Sequence, residues 1–226
     1  MSNVIRFQFR KGPEVQFLSH LDVVRTMERA VRRAGLPMAY SEGFTPRPIM
    51  SYSYALSVGL LSEAEYGDFA LTEELDPEEF VKIYNQHLPK GFEVLRAQRL
   101  PDHAPTLQAQ INAASWRVSL PKVSADAIKE RWQWLQEVDS FVVRRETKKG
   151  SRDVDVRHFL FSVGAIVQSP TGVVFDCLAG LGNEANLRME ELGQLLCFAH
   201  LEATITRMGQ FKKVGNLYVP PLEDRG

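Results

Sequence analysis

Val4-Ile5-Arg6-Phe7-Gln8-Phe9-Arg10 alternates apolar and polar side chains with a period of two, the pattern of a half-buried strand. Lys11-Gly12-Pro13-Glu14 then breaks it, and Ser19 precedes a helix expected to run through Ala34. Leu21, Val24, Met27, Val31 and Ala34 recur at helical spacing, Gly35 supplies the stop, and Pro37 lies just beyond. Residues 37–48 are punctuated by proline; residues 49–58 and 66–72 are strand-like. Asp76 reads as the N-cap of a second helix with Pro77 in its first turn, running to about residue 87. Residues 92–100 read as a closing strand. The order is strand, helix, strand, strand, helix, strand, which is the ferredoxin-like succession.

Residues 101–113, rich in Pro, Ala and Gln, read as a linker. After it the succession starts again. A strand at 116–120 precedes an amphipathic helix at 124–138 carrying Trp132 and Leu135. Residues 141–145, 155–167 and 173–178 are strand-like, 188–198 helical, and 203–207 a last strand. The expected fold is therefore α+β, with tandem ferredoxin-like subdomains at residues 1–105 and 106–226. The halves share no residue-level identity, so the duplication is one of architecture.

Composition narrows the function. A chain of 226 residues accommodates one or two domains at roughly 150 residues each. Lys and Arg number 27 against 28 Asp and Glu, so the whole chain lacks the basic signature of many nucleic-acid binders. The charge is uneven, however. Residues 1–60 hold eight basic against four acidic side chains, and residues 61–105 hold four against ten. A near-neutral chain of this kind still presents a local basic field.

Cys177 and Cys197 are too few and too far apart for an iron–sulfur cluster, a cysteine-built zinc site or a disulfide scaffold. They read as buried, unreactive thiols in a reducing, cytoplasmic setting, and no cofactor of the chain's own is expected. No apolar run reaches the roughly 18 residues of a membrane span, and the N-terminus reads as a strand rather than a signal peptide.

The densest chemistry lies at the first helix. Ser19 and Asp22 have the spacing of a capping box, which is the favoured role for both. Arg25, Arg29 and Arg32 fall at i, i+4 and i+7, with Arg33 beside them and Glu28 opposing. Such a stripe is either a solvated face or a phosphate-binding rail, and the rail is favoured. His20 opens the helix, where the positive dipole end favours neutral imidazole. It is either a structural donor or a general base.

Tyr40-Ser41-Glu42-Gly43-Phe44-Thr45-Pro46-Arg47-Pro48 describes a rigid turn. Either Tyr40 and Phe44 stack a base while Arg47 holds its phosphate, or Phe44 plugs the core and Arg47 pairs with Glu42. Glu63, Glu65 and Asp68 crowd into six residues, as metal ligands or, more simply, as a solvated turn. Arg144, Arg145, Lys148, Lys149 and Arg152 mark a basic hairpin tip, with Arg157 following. Gly180-Leu181-Gly182-Asn183 is a lone Gly-x-Gly explained by a strand-to-helix turn.

Phe17-Leu18-Ser19-His20-Leu21-Asp22, Arg32-Arg33-Ala34-Gly35-Leu36-Pro37 and Tyr40-Ser41-Glu42-Gly43-Phe44 together resemble the radical-SAM-linked protein family, a domain of unknown function. Ser51, Val58-Gly59, Ser62-Glu63, Glu65-Tyr66, Lys149-Gly150, Asp155 and Arg157 extend the likeness. Thr45 and Arg47 depart from it, standing where Asn-Pro-His would supply Asn and His. The resemblance implies a protein encoded beside, or fused to, a radical-SAM enzyme with a cobalamin-binding-like region, often near ribosomal-protein and ribonuclease genes. Paired ferredoxin-like units with an arginine helix are also similar to CRISPR repeat-processing endoribonucleases, a likeness of fold that does not carry function.

These readings lead to an RNA-binding accessory protein that presents tRNA or rRNA to a radical-SAM enzyme. Arg25, Arg29, Arg32, Arg33 and Arg47 would contact phosphates, and Tyr40 and Phe44 would stack. Lys148, Lys149, Arg152 and Arg157 would extend the track. The alternatives are a metal-independent RNA-processing enzyme with His20 as general base, and a module docking the radical-SAM partner through the acidic middle segment.

Overall fold

A computed structural model describes residues 3–147 and 150–223. Helices and strands are mixed along the chain, which forms two compact units: Met1–Ile111 with Arg207–Gly226, and Asn112–Thr206. This division differs from the one expected at residue 105, because the last twenty residues belong with the first unit.

The first unit contains β1 (Val4–Lys11), α1 (His20–Ala34), β2 (Met50–Tyr52), β3 (Leu61–Ala70), α2 (Pro77–Asn85), β4 (Phe92–Arg99) and the short α3 (Leu107–Gln110). Local side chains fix the helix ends. Ser19 Oγ accepts from the Asp22 N–H at 3.3 Å and donates to Asp22 Oδ2 at 2.6 Å. Gly35 closes α1 at φ 62°, a left-handed conformation that costs glycine little. Asp76 caps α2 through Oδ1, which accepts from the N–H groups of Glu78 and Glu79. Thr106 likewise caps α3, a helix inside the stretch expected to be a plain linker.

The sheet runs β4-β1-β3, antiparallel throughout, with β2 antiparallel to β3 at Met50–Tyr52. Its register puts Phe7, Phe9 and Phe69 on one face. There α1 contributes Val23, Met27, Ala30 and Val31, and α2 contributes Phe80 and Tyr84. The buried stripe of α1 is rotated from the expected one: Val23 and Ala30 point in, whereas Leu21 in the first turn is 65% exposed. Phe7 meets Phe69 edge-on with centroids 4.6 Å apart, and its ring covers Gly67 on the neighbouring strand.

The other sheet face is also covered. Arg6, expected on the solvated side of a half-buried strand, is 1% exposed. Its guanidinium forks onto Asp68 at 2.7 and 2.8 Å and also donates to the Pro105 carbonyl and to Gln110. Residues 105–110 thus lie against this face.

The second unit contains β5 (Ala113–Pro121), α4 (Ala125–Glu137), β6 (Val142–Thr147), β7 (Gly150–Asp155), β8 (Leu160–Ser169), β9 (Gly172–Gly180) and α5 (Met189–Leu196). β10 (Thr204–Val214) starts there and continues in the first unit, where its later residues pair with β11 (Leu217–Val219). β5, β9 and β8 form one antiparallel sheet segment, while β6 and β7 pair in a separate two-stranded sheet.

The strand expected at 155–167 is broken in two. Asp155 Oδ1 accepts from the N–H groups of Phe141 and Arg157, ending β7 and starting a tight turn before β8. The unit therefore carries a hairpin beyond the expected six elements. Gly180 ends β9, and α5 begins only at Met189, so the Gly-x-Gly is not poised at a helix N-terminus. Among the described residues no helix is long and apolar enough to cross a membrane.

Candidate functional site

α1 buries its apolar stripe, so its arginines point away from the sheet. Arg25, Arg29, Arg32 and Arg33 are all exposed. Arg25 lies 3.7 Å from Asp22, and Arg32 pairs with Glu28 at 2.6 Å. Arg29 donates to Thr26 Oγ1 and Arg33 to the His87 carbonyl. Exposed pairs of this kind contribute little, so the guanidinium groups remain available to a stronger anion.

The turn after α1 projects. Ala39 and Ile49 are joined by a backbone hydrogen bond, as are Ser41 and Arg47, and Tyr40 bridges Pro48. Above this tied base, Gly43 adopts φ 118° and Phe44 stands fully exposed, with Tyr40 45% exposed. The core-plug alternative for Phe44 is thereby excluded. Arg47 is exposed too, and among the described residues no ion pair joins it to Glu42.

His20 lies elsewhere. It lines a pocket beneath the start of α1 together with Phe9, Lys11, Tyr52, Ser53, Glu65 and Tyr66. The carboxylates expected on a solvated turn are on β3 instead, because the segment is a strand between two others. Glu65 accepts both contacts from Arg207 Nη1, at 2.8 and 3.0 Å, and Asp68 holds Arg6. Among the described residues no group of three or more metal-binding side chains is assembled.

Burial sets the titration of this pocket. Desolvation lowers the Lys11 amine, with nearby Glu65 opposing the shift, and Lys11 Nζ donates to the Gln16 carbonyl at 2.8 Å. Desolvation pushes Tyr66 up to about 12 and raises Tyr52 further still, so both phenols stay protonated. The His20 ring meets Tyr52 edge-on at 6.3 Å. The open space is about 20 Å³, enough for one water molecule and too small for a ribose.

In the second unit the basic residues divide. Arg144 and Arg152 are exposed on the β6–β7 hairpin; Lys148 and Lys149 lie outside the described residues. Arg145 is buried, forking onto Glu191 at 2.6 and 2.7 Å. Arg157 is half-buried, donates to the Leu135 carbonyl and covers the Trp132 ring at 5.7 Å. It pins α4 to the following turn rather than standing free. Cys177 is buried and its thiol pushed up to about 12 by desolvation. Cys197 departs from expectation: it is exposed at the end of α5.

Among the described residues, sequence reasoning missed the buried arginine–carboxylate pairs Arg6–Asp68, Glu65–Arg207 and Arg145–Glu191. A carboxylate on an alternating strand was the available signal for the first two.

The fold and site define a mixed α/β protein with an arginine-bearing helix and a projecting aromatic loop. The chain belongs to a bacterial family, described as uncharacterized protein conserved in bacteria (DUF2344), whose model matches residues 5–189. No curated protein matches the chain.

Proposed function

We propose that the chain is an RNA-binding accessory protein, built from two ferredoxin-like units, that presents tRNA or rRNA to a radical-SAM enzyme with a cobalamin-binding-like region in the cytoplasm. The observation that carries the RNA reading is the fully exposed Phe44 ring on a tied loop that also carries exposed Tyr40 and Arg47. An aromatic held in water on a loop that also carries an exposed cation is suited to stacking a splayed base and gripping its phosphate. The exposed arginines of α1 supply further phosphate contacts.

The ferredoxin-like reading draws support from the strand pairings β4-β1-β3 and β3-β2 in the first unit. In the second it draws on the succession β5, α4, β8, β9, α5, β10, with β6–β7 as an insertion. The radical-SAM partner rests on the sequence resemblance.

Crosslinking and sequencing of RNA bound in cells tests the proposal, comparing wild type with the Arg25→Glu/Arg29→Glu double variant. A defined tRNA or rRNA site that is lost in the variant is the expected result. No enrichment over background for the wild type would overturn RNA binding and favour a protein-docking role.

A further inference from the structure

The sheet of the second unit ends on β8. Among the described residues, this strand pairs with β9 alone. Its other edge therefore turns the backbone N–H and C=O groups of alternate residues outward. Gly164, Ala165, Val167 and Gln168 are exposed, Val167 at 58%. The first half of the strand is bulged, its register shifting between Leu160 and Ser162 and again between Val163 and Ile166. From Ile166 onward the pairing is regular, with Ile166 opposite Phe175 and Val167 opposite Val174. Gln168 Nε2 donates to the Ser169 carbonyl at 3.2 Å, so the open stretch is residues 164–167.

The outer strand of the first unit is guarded against this kind of pairing. β4 carries Glu93, Arg96 and Arg99. The Asn85 side chain also occupies both backbone groups of Val94: Nδ2 donates to the carbonyl at 2.9 Å, and Oδ1 accepts from the N–H at 2.7 Å. Charge and a capped backbone are the usual means of keeping an edge from associating. β8 has no charged residue and no proline among its ten, although 24% of the chain is charged. An uncharged edge of this composition, left in water, is a place where strands add.

The row of outward donors and acceptors selects an extended backbone as its occupant. β8 carries no charge with which to choose a foreign strand by sign. A second copy of β8 needs no such choice. Turned antiparallel by a two-fold axis, it brings the same open stretch, sets no like charges against each other, and makes every contact twice. The axis also closes the assembly at two chains, because each copy covers the open edge of the other.

We propose that the protein is a homodimer in which the 164–167 stretches of two β8 strands pair antiparallel across a two-fold axis, joining two β5-β9-β8 sheet segments edge to edge. The inference is independent of the RNA reading.

Sedimentation velocity of the full chain over a range of concentrations, at low and at high salt, tests it. Ala165→Lys/Val167→Lys and Ala165→Glu/Val167→Glu place charges of one sign at exposed positions of the open stretch, and circular dichroism checks each fold. The wild type is expected to sediment as a dimer that salt does not dissociate, because no ion pair holds it. Each double variant is expected to raise the dissociation constant at least roughly tenfold, the scale of two like-charged cross-strand pairs. Mixing the two variants is expected to restore association. In the wild type alone, the amides of 164–167 are expected to exchange hydrogen faster on dilution.

A wild type that stays monomeric at the highest concentration reached overturns the proposal and leaves the edge to a strand of another protein. A dimer that survives both double variants, or that salt dissociates, overturns it and points to a charged face such as that of α1. Exchange at 164–167 that does not depend on concentration overturns it as well. Growth beyond two chains overturns the two-fold closure.

Discussion

Arg207 Nη1 lies 2.8 and 3.0 Å from the two carboxylate oxygens of Glu65, although 142 positions separate the residues in the chain. Both are buried, and the guanidinium also donates to the Tyr54 carbonyl at 3.0 Å. Removing one partner leaves a desolvated charge, so Glu65→Ala is expected to cost about 3–5 kcal/mol. A Glu65→Leu/Arg207→Met double variant is expected to recover most of that loss. Denaturant midpoints of the three proteins check it. Equal destabilisation in the single and double variants would show that packing, not charge, dominates.

Phe7 and Gly67 face each other across β1 and β3, and a Cβ on Gly67 would sit 2.6 Å from Phe7 Cζ. Gly67→Ala therefore pushes a ring that is packed against Phe69 and Phe80. The expected cost is about 1–3 kcal/mol, the range for overpacking a core. Phe7→Leu is expected to be less damaging in the alanine background than in the wild type, a difference that a double-mutant cycle on thermal unfolding measures.

Asp155 accepts backbone hydrogen bonds from Phe141 and Arg157, which hold its carboxyl below the usual carboxylate range. A carboxylate favoured by folding binds its proton less tightly in the native state than in the unfolded chain. Its stabilisation is complete above the ordinary carboxylate range and disappears as pH falls through the lowered value. Wild-type stability is thus expected to decline more steeply on acidification than that of Asp155→Asn. Urea titrations from neutral pH down to about pH 2 compare the two slopes.

Phe44 has no core role, so Phe44→Ala is expected to leave the unfolding midpoint unchanged. Its affinity for single-stranded RNA is expected to fall by about 1–3 kcal/mol, the scale of one base–aromatic stack. Fluorescence anisotropy with a labelled oligonucleotide reads the loss. Unchanged affinity would remove the loop from the proposed interface.

Each Arg→Glu substitution at 25 or 29 is expected to reduce the salt dependence of binding, because fewer counterions leave the strand. The slope of log K against log salt is expected to shrink by about 0.7 per phosphate contact removed. Titrations at several salt concentrations determine it, and a slope equal to that of the wild type would return both arginines to a solvated face.

In the first unit the elements from β1 to β4 were legible because their signals are local, whereas α3 in the expected linker was not. Ser19 with Asp22, Gly35, and Asp76 with Pro77 act within a turn of their own positions and set helix ends at those residues. The second unit was less legible. The break at 155–159 depends on Asp155 reaching back to Phe141, fourteen positions away, and a pattern of alternating residues does not register that contact.

The candidate site divides in the same way. The outward arginine stripe of α1 follows from helical spacing alone, since positions four apart share a face whatever they pack against. Whether Phe44 faced the core or the solvent did not follow, because either placement satisfies the same turn.

By itself, then, the sequence determined the caps of α1 and α2, the strand and helix succession from β1 to β4, and the cationic face of α1, all products of interactions across a few residues. Only the tertiary structure decided that Arg6 meets Asp68, that Glu65 meets Arg207, and that β8 pairs with β9 on one side and lies at the outside of its sheet. Those contacts depend on which strands become neighbours and in what register. That outcome is set by burying the whole apolar face at once, and no short stretch of the chain encodes it.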